Sequence, residues 1–182
     1  MTLGQEYLTA VIRRVKYYKE LGDKTFAQLN NDSDFHYQPN QESNSIAVII
    51  QHVSGNMLSR WTNFLTEDGE KQWRERDEEF AIHSYTKEQL IGIWEKGWKC
   101  FVDTLESLKE EDLLKTIHIR QEQLSAVDAI NRQLAHYPYH VGQIVYLGRM
   151  IRDEDWKNLS IPKGQSQQYN KSGTIKDPAK KY

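Results

Sequence analysis

Apolar residues recur at helical spacing over four stretches of the chain. Across residues 4–30, Leu8, Val11, Ile12, Val15, Tyr18, Leu21, Phe26 and Leu29 keep to one face. The pattern breaks in NDSDFHYQPNQESN, where turn formers and Pro39 accumulate. A second helix is predicted from Asn44 or Ser45, either a suitable N-cap, to about Leu65. Its inner stripe is Ile46, Ile49, Val53, Met57, Trp61 and Phe64. The third starts at TKEQ, a capping box with Thr86 as N-cap and Gln89 three residues on. Leu90, Trp94, Gly97, Phe101, Leu105 and Leu108 form its inner face. The fourth begins near Ser125, with Asp128 at the reciprocal capping position. Val127, Ile130, Leu134, Tyr137, Val141, Ile144, Gly148 and Ile151 then alternate steps of three and four, the seam of a bundle helix.

The connections differ in kind. TEDGEKQWRERDEEFAIHSY is a long polar crossover, and its Trp73 and Phe80 predict that it folds back onto the helices. Connections of that length in compact domains are often functional. EEDLLKTIHIRQEQ is irregular, with TIHI locally extended. After Asp153 the chain turns polar; Trp156, Leu159 and Ile161 are placed to tack its start to the body. The expected architecture is all-α, a four-helix bundle with a long crossover loop and an irregular C-terminal tail. Residues 1–165 form the domain and 166–182 a mobile tail.

The chain has 182 residues, enough for one domain with a real core, and its 38% hydrophobic and 27% charged residues suit a globular protein. A net charge of −2 gives no field to draw it onto nucleic acid. Cys100 is the single cysteine, which excludes an intramolecular disulfide and a cysteine-cluster zinc site and fits a reducing cytoplasm. The N-terminal residues lack the apolar core of a signal peptide, and no run is long enough to cross a bilayer. A cytoplasmic protein without nucleic-acid or membrane partners is expected.

Candidate chemistry centres on QLAHYPYHVGQI. His136 and His140 are four apart, so they project from one side of the fourth helix, one turn from each other. Such a pair can share a divalent ion; it also fits two half-exposed histidines bonded to neighbours. Pro138 removes the backbone bond to Leu134 and predicts a kink, which either tilts the two imidazoles relative to one another or serves packing alone. His52 borders the inner stripe of the second helix and joins them if the helices face each other. Bundle metal sites take inward side chains from facing helices, and three nitrogens leave a position open for water or substrate.

These residues resemble a known family. The stretches IIQHVSGNMLSRW, HYPYHVGQI, RWTNFLTEDGEKQWRERDEEF and NLSIPKGQS look like those of the DinB-like (DinB/YfiT-like) superfamily of metalloenzymes, and within it the DUF1572 branch, over about residues 5–165. The resemblance implies a four-helix bundle holding a divalent metal, often nickel or zinc, on His52, His136 and His140, and frequent homodimers. Three imidazoles and a water also suit iron or manganese. Better-known relatives include thiol S-transferases that use bacillithiol or mycothiol and a maleylpyruvate isomerase. The implied activity is a metal-dependent transferase on a small molecule, a low-molecular-weight thiol among the candidates, with hydrolysis as the neighbouring possibility.

Other residues complete the inventory. Asn56 lies one turn beyond His52 and Gln143 three residues after His140, both within reach of the ligands. Ordinary bundle polarity is the simpler account of Asn56. The crossover offers Arg74, Arg76, Asp77, Glu78 and Glu79; Asp77 and Glu78 are taken, with Gln143, as weak catalytic candidates. Arg60 is placed to bind an anionic substrate or to lie on the surface. Cys100 reads as a small packed residue, and His36, His83 and His118 fit no ligand spacing. Two rivals to an enzyme stand: a non-catalytic, stress-related protein that binds metal or a small ligand, and a dimeric bundle whose histidines only pack.

Overall fold

The computed structural model describes residues 1–173 and 176–182. It is mostly helical. Its elements are α1 (Leu3–Phe26), α2 (Asp32–His36), α3 (Ile46–Trp61), α4 (Lys87–Ser107), β1 (Thr116–Ile119), β2 (Glu122–Ser125), α5 (Ala126–Arg152) and α6 (Ser166–Lys171). The long helices begin where a hydroxyl meets an otherwise unpaired N–H. Ser45, Thr86 and Ser125 accept from the backbone N–H groups of Val48, Gln89 and Asp128 at 3.3 Å each. At Thr86 the capping box is reciprocal: its own N–H donates to Gln89 Oε1 at 2.8 Å.

The helix ends depart from the sequence expectation. α1 stops at Phe26 and α3 at Trp61, whereas periodicity extends them to residue 30 and Leu65. Leu29 and Phe64 are nevertheless buried, because the chain turns them inward outside the helix; Phe64 lies 4.6 Å from the Trp61 ring. Burial is what the periodicity reports, and a turn delivers it as well as a helix. The stretch expected as turns contains α2, whose N-cap Asn31 and Asp34 satisfy each other's N–H groups. Phe35 at its end is fully buried, 5.5 Å from Phe26.

α3 packs along α4 and α1 along α5, and contacts of α1 with α4 and α3 with α5 link the two pairs. The interior between them is aromatic: Trp61, Trp94, Trp98, Phe101 and Tyr137 are all buried. Phe101 stands 4.4 Å from Trp61 and edge-on to Tyr137 at 5.1 Å. Burying a side chain of this size stabilises by about 1.5–3 kcal/mol, with an increment for the edge contacts. Small residues set the helix spacing. A Cβ at Gly22 would stand 2.4 Å from the Trp94 ring, and one at Gly97 would stand 2.8 Å from the Ser54 Cα.

β1 and β2 form an antiparallel hairpin with Thr116 opposite Ser125 and Ile119 opposite Glu122. Its two-residue turn places Arg120 and Gln121 at φ 57° and 66°, a backbone region costly for residues other than glycine. The Asp68 carboxylate offsets the strain by accepting both N–H groups, at 2.8 and 2.7 Å. That contact also docks the crossover on the hairpin, where Gly69 N–H donates to the His118 carbonyl at 2.8 Å. Phe80 folds back onto the helices as expected, but Trp73 is 58% exposed. The side chains of Lys71 and Arg74 are buried there instead, paired with Glu67 and Glu79, and the Lys71 N–H donates to Ser59 of α3 at 3.2 Å. Their long apolar stems cover the helices while their charged heads find partners.

Beyond α5, Trp156 and Leu159 are half-buried and Ile161 is exposed. In the tail, Arg14 of α1 grips Asp177 through two bonds of 2.7 and 2.6 Å, and Ala179 is buried. Residues 174–175 of that stretch lie outside the described residues. Among the described residues, no helix is long and apolar enough to cross a membrane.

Gly97→Ala is expected to destabilise by about 1–3 kcal/mol, because its methyl meets the Ser54 backbone and α3 and α4 must part. Gly92→Ala, in the same helix with nothing within 4 Å, is expected to stabilise by up to about 1 kcal/mol. Urea denaturation of the two variants side by side checks both signs.

Candidate metal centre

α5 runs unbroken through Pro138. His136 and His140 therefore stand one turn apart, with their Nε2 atoms 3.1 Å from each other. The Pro138 ring lies on another side of the helix, beside Val15 and Tyr18 of α1. α3 supplies His52, whose ring centre is 5.5 Å from that of His136 and 5.0 Å from that of His140. One nitrogen from each histidine lies within 4.8 Å of the others. His52 is buried and the other two are half-buried.

Each imidazole is held by its other nitrogen. His52 Nδ1 lies 3.0 Å from Glu79 Oε2, His136 Nδ1 is 3.2 Å from Gln133 Oε1, and His140 Nδ1 is 2.8 Å from Gln143 Oε1. A carboxylate accepts only, so His52 carries its proton on Nδ1; the Gln133 and Gln143 amide oxygens, as placed, accept from the other two Nδ1 atoms. All three Nε2 lone pairs are thereby left to converge. Histidine ligands are held toward metals in this manner, by an acceptor on the far ring nitrogen. A separation of 3.1 Å suits either a hydrogen bond between the two rings or two ligands to one cation. Nitrogens bound to one ion at about 2.0–2.1 Å lie roughly 2.9–3.4 Å apart for bond angles between right and tetrahedral. The pair on α5 fits.

Glu79 is fixed in turn. Arg74 donates to it from Nε at 2.7 Å and from Nη2 at 2.9 Å, a planar fork on a carboxylate. The one-turn 3-10 helix Asp77–Phe80 points Glu79 inward and lays Phe80 against the His52 ring at 4.8 Å. Gly55 makes the space, since a Cβ there would stand 2.2 Å from Glu79 Oε1.

Electrostatics agree with the tautomers. Burial, with the neighbouring histidines and arginines, holds His136 down to about 4, and burial lowers His140 as well, against the pull of Gln143. Both are neutral near pH 7, which leaves their lone pairs available. Burial pushes the Glu79 carboxyl up, but the bonds from His52 and Arg74 and the Arg74 charge outweigh it and hold the group below the usual range.

A cavity of about 240 Å³ opens beside His52 and His136. Asn56 lines it, and the Asn56 Oδ1 accepts from the buried Tyr137 hydroxyl at 3.0 Å, which itself accepts from Trp61 Nε1 at 3.0 Å. Of the residues singled out by sequence, the fold gathers His52, His136, His140, Asn56 and Gln143. Gln143 serves as the partner of His140. Asp77 and Glu78 are exposed on the outer side of the 3-10 turn, away from the imidazoles, and Glu79 takes the inner position. Arg60 is buried at the cavity, donating to Glu70 at 2.9 Å and to the Gly69 carbonyl. Cys100 lies on α4 near Thr62. His36 bonds the Tyr85 carbonyl, His83 the Glu78 carbonyl, and His118 is on β1; none joins the cluster.

Sequence reasoning missed Gln133. Its signal is a symmetry: Gln133 stands three residues before His136 as Gln143 stands three after His140. Gly55, within α3, is the trace that Glu79 leaves in the sequence.

Fold and site together define a helical protein with a three-histidine cluster, from two helices, able to hold a metal ion. The family model of the proteins of unknown function DUF1572 matches residues 2–165, and the chain belongs to that family. No curated protein and no solved structure matches it.

The depressed His136 makes the metal-free protein acid-sensitive. Between pH 6.5 and about 4 the unfolded chain takes up a proton that folded His136 refuses, so stability present above 6.5 is lost as pH falls through that window. We expect Tm to drop over this range and the drop to shrink in His136→Gln, as read by calorimetry in a metal-free buffer.

Proposed function

We propose that this chain is a DinB-like four-helix bundle that holds one divalent metal ion on His52, His136 and His140 and acts as a metal-dependent transferase or hydrolase on a small molecule. The observation that carries this reading is the set of three Nδ1 acceptors. Histidines that only pack need no common orientation, whereas Glu79 fixes the tautomer of His52 and the Gln133 and Gln143 oxygens face the Nδ1 atoms of the other two. Zinc and nickel head the candidate ions for a site of neutral imidazoles, with iron and manganese behind them.

A bound divalent ion supplies Lewis acidity, lowering the pKa of a water or thiol or polarising a carbonyl. The remaining work falls to the chain. Glu79 orients His52 and places a full negative charge behind it, and Arg74 keeps that carboxylate ionised and in plane. Asn56 spends its carbonyl oxygen on Tyr137, which leaves its amide N–H groups to donate to a substrate oxygen in the cavity. The cavity gives access from one side, while the aromatic interior behind Tyr137 keeps water from the other. A low-molecular-weight thiol with an electrophilic partner is the first substrate pair this reading nominates.

Metal content of tag-free protein, by mass spectrometry, tests it. We expect about one ion per chain after reconstitution with zinc or nickel, and none retained by His52→Ala or His136→Ala. Glu79→Gln should keep the ion with about 10–100-fold weaker affinity, since the orienting partner loses its charge. Thiol-transfer turnover should disappear in His140→Ala. A wild-type chain that takes up neither metal would end the reading.

A further inference from the structure

The wall of the cavity carries a charge pattern that a metal ion alone does not require. Arg60, Arg74, Arg76, Arg120 and Arg132 line it, and among the described residues no carboxylate does. Two carboxylates stand behind them. Glu70 lies 2.9 Å from Arg60 and 3.0 Å from Arg120, and Glu79 holds Arg74. Asp68 binds the Arg120 backbone and solvent-exposed Asp77 lies 4.0 Å from Arg76, so carboxylates surround the arginines while the lining among the described residues is cationic, and low-dielectric walls concentrate its field.

Arg132 has no ion-pair partner among the described residues, and Arg76 reaches only the fully exposed Asp77, at 4.0 Å. The Arg74 side chain is 2% exposed, yet its Nη1 is buried without a hydrogen bond, 3.8 Å from the nearest Glu70 oxygen. A buried donor without an acceptor is rare in folded proteins and points to a missing partner. The five groups also come from separate places: Arg60 from α3, Arg74 and Arg76 from the crossover, Arg120 from the hairpin turn and Arg132 from α5. Two are set with care. Arg120 occupies the left-handed turn secured by Asp68, and Arg76 lies over the Phe80 ring at 5.1 Å.

We infer that this cavity binds the anionic part of a small substrate, a carboxylate or phosphate group held by Arg76, Arg120 and Arg132 with Arg74 beneath. Guanidinium forks match the planar, bidentate geometry of both anions. At about 240 Å³ the cavity falls just below the range that takes drug-sized ligands, so the substrate is of metabolite size. His52 and His136 line the same cavity, which aims the far end of the molecule at the histidine cluster. Only this last placement rests on the metal reading; anion binding does not.

The test is calorimetric titration of the metal-free full chain with pyrophosphate and, separately, with succinate. We expect at least one to saturate at one per chain, with affinity falling as salt rises. Arg76→Gln/Arg132→Gln, both at exposed positions, should weaken that binding tenfold or more and still take up zinc as the wild type does. Lys99→Gln, an exposed lysine on α4 that does not line the cavity, should change neither. Saturation by pyrophosphate alone assigns a phosphoryl substrate, by succinate alone a carboxylate, and by both the shared anion chemistry. Failure of both to bind the wild type, or equal binding by the double variant, overturns the inference. Zinc uptake in those same samples then shows the metal reading standing, whereas anion binding without zinc uptake fails the metal reading alone.

Discussion

Glu79 is a carboxylate removed from water and held between His52 on one side and the fork of Arg74 on the other. Desolvating a carboxylate and a guanidinium costs several kcal/mol each, and only close, multiply bonded pairing offsets it. Here the pairing is bidentate and the third bond goes to an imidazole. Losing one member would strand a buried charge at a cost of about 3–5 kcal/mol, so the group stands or falls together. The crossover is closed onto α3 by this contact, His52 is turned by it, and Arg74 is delivered by it to the cavity wall. A glycine within a helix sacrifices roughly 0.5–1 kcal/mol, and Gly55 is tolerable because the carboxylate occupies the space a side chain would fill.

Two electrostatic demands compete around this contact. Arginines that would hold an anion also repel a metal cation, and they help keep His136 unprotonated. Keeping the imidazole neutral is what a metal site needs; facing the ion with bare positive charge is not. Both sets of groups line the one cavity, and the carboxylate of Glu79 tempers the positive charge nearest His52. Glu79 stands behind His52, on the ring nitrogen away from the other histidines, while Arg76, Arg120 and Arg132 line the cavity with His52 and His136. The hairpin, which adds little to the core beyond Ile117 and Ile119, earns its place by bringing Arg120 there on a turn that Asp68 steadies.

Much of this was legible in the sequence, and the legible parts share a short range. Ser45, Thr86 and Ser125 cap their helices through bonds to backbone three residues on, so the residues that decide each start are neighbours in the chain. The stripes of α4 and α5 follow from the helical period, and the meeting of His136 with His140 follows from a spacing of four. His52 required more, since its place at the margin of the α3 stripe is periodic but its approach to α5 is not; a resemblance to other chains filled that gap. The helix ends were misjudged for a related reason: Leu29 and Phe64 obey the apolar pattern while lying outside the helices.

What only the tertiary structure decided lies beyond that range. Among three consecutive acids, nothing local distinguishes Glu79 from Asp77 and Glu78. The phase of one 3-10 turn chooses, and that phase is set by His52, 27 residues away, and by Arg74. Trp73 reads as an anchor by its hydrophobicity, yet the side chains of Lys71 and Arg74 are buried instead because they find partners there and it does not. The arginines that share the cavity are scattered from residue 60 to 132, and no periodicity relates them. The chain alone determined its helices and one face of its site, because helix and cap bonds span three or four residues. The orientation of the ligands and the charge of the cavity came from pairings between distant segments, which exist only once the helices have packed.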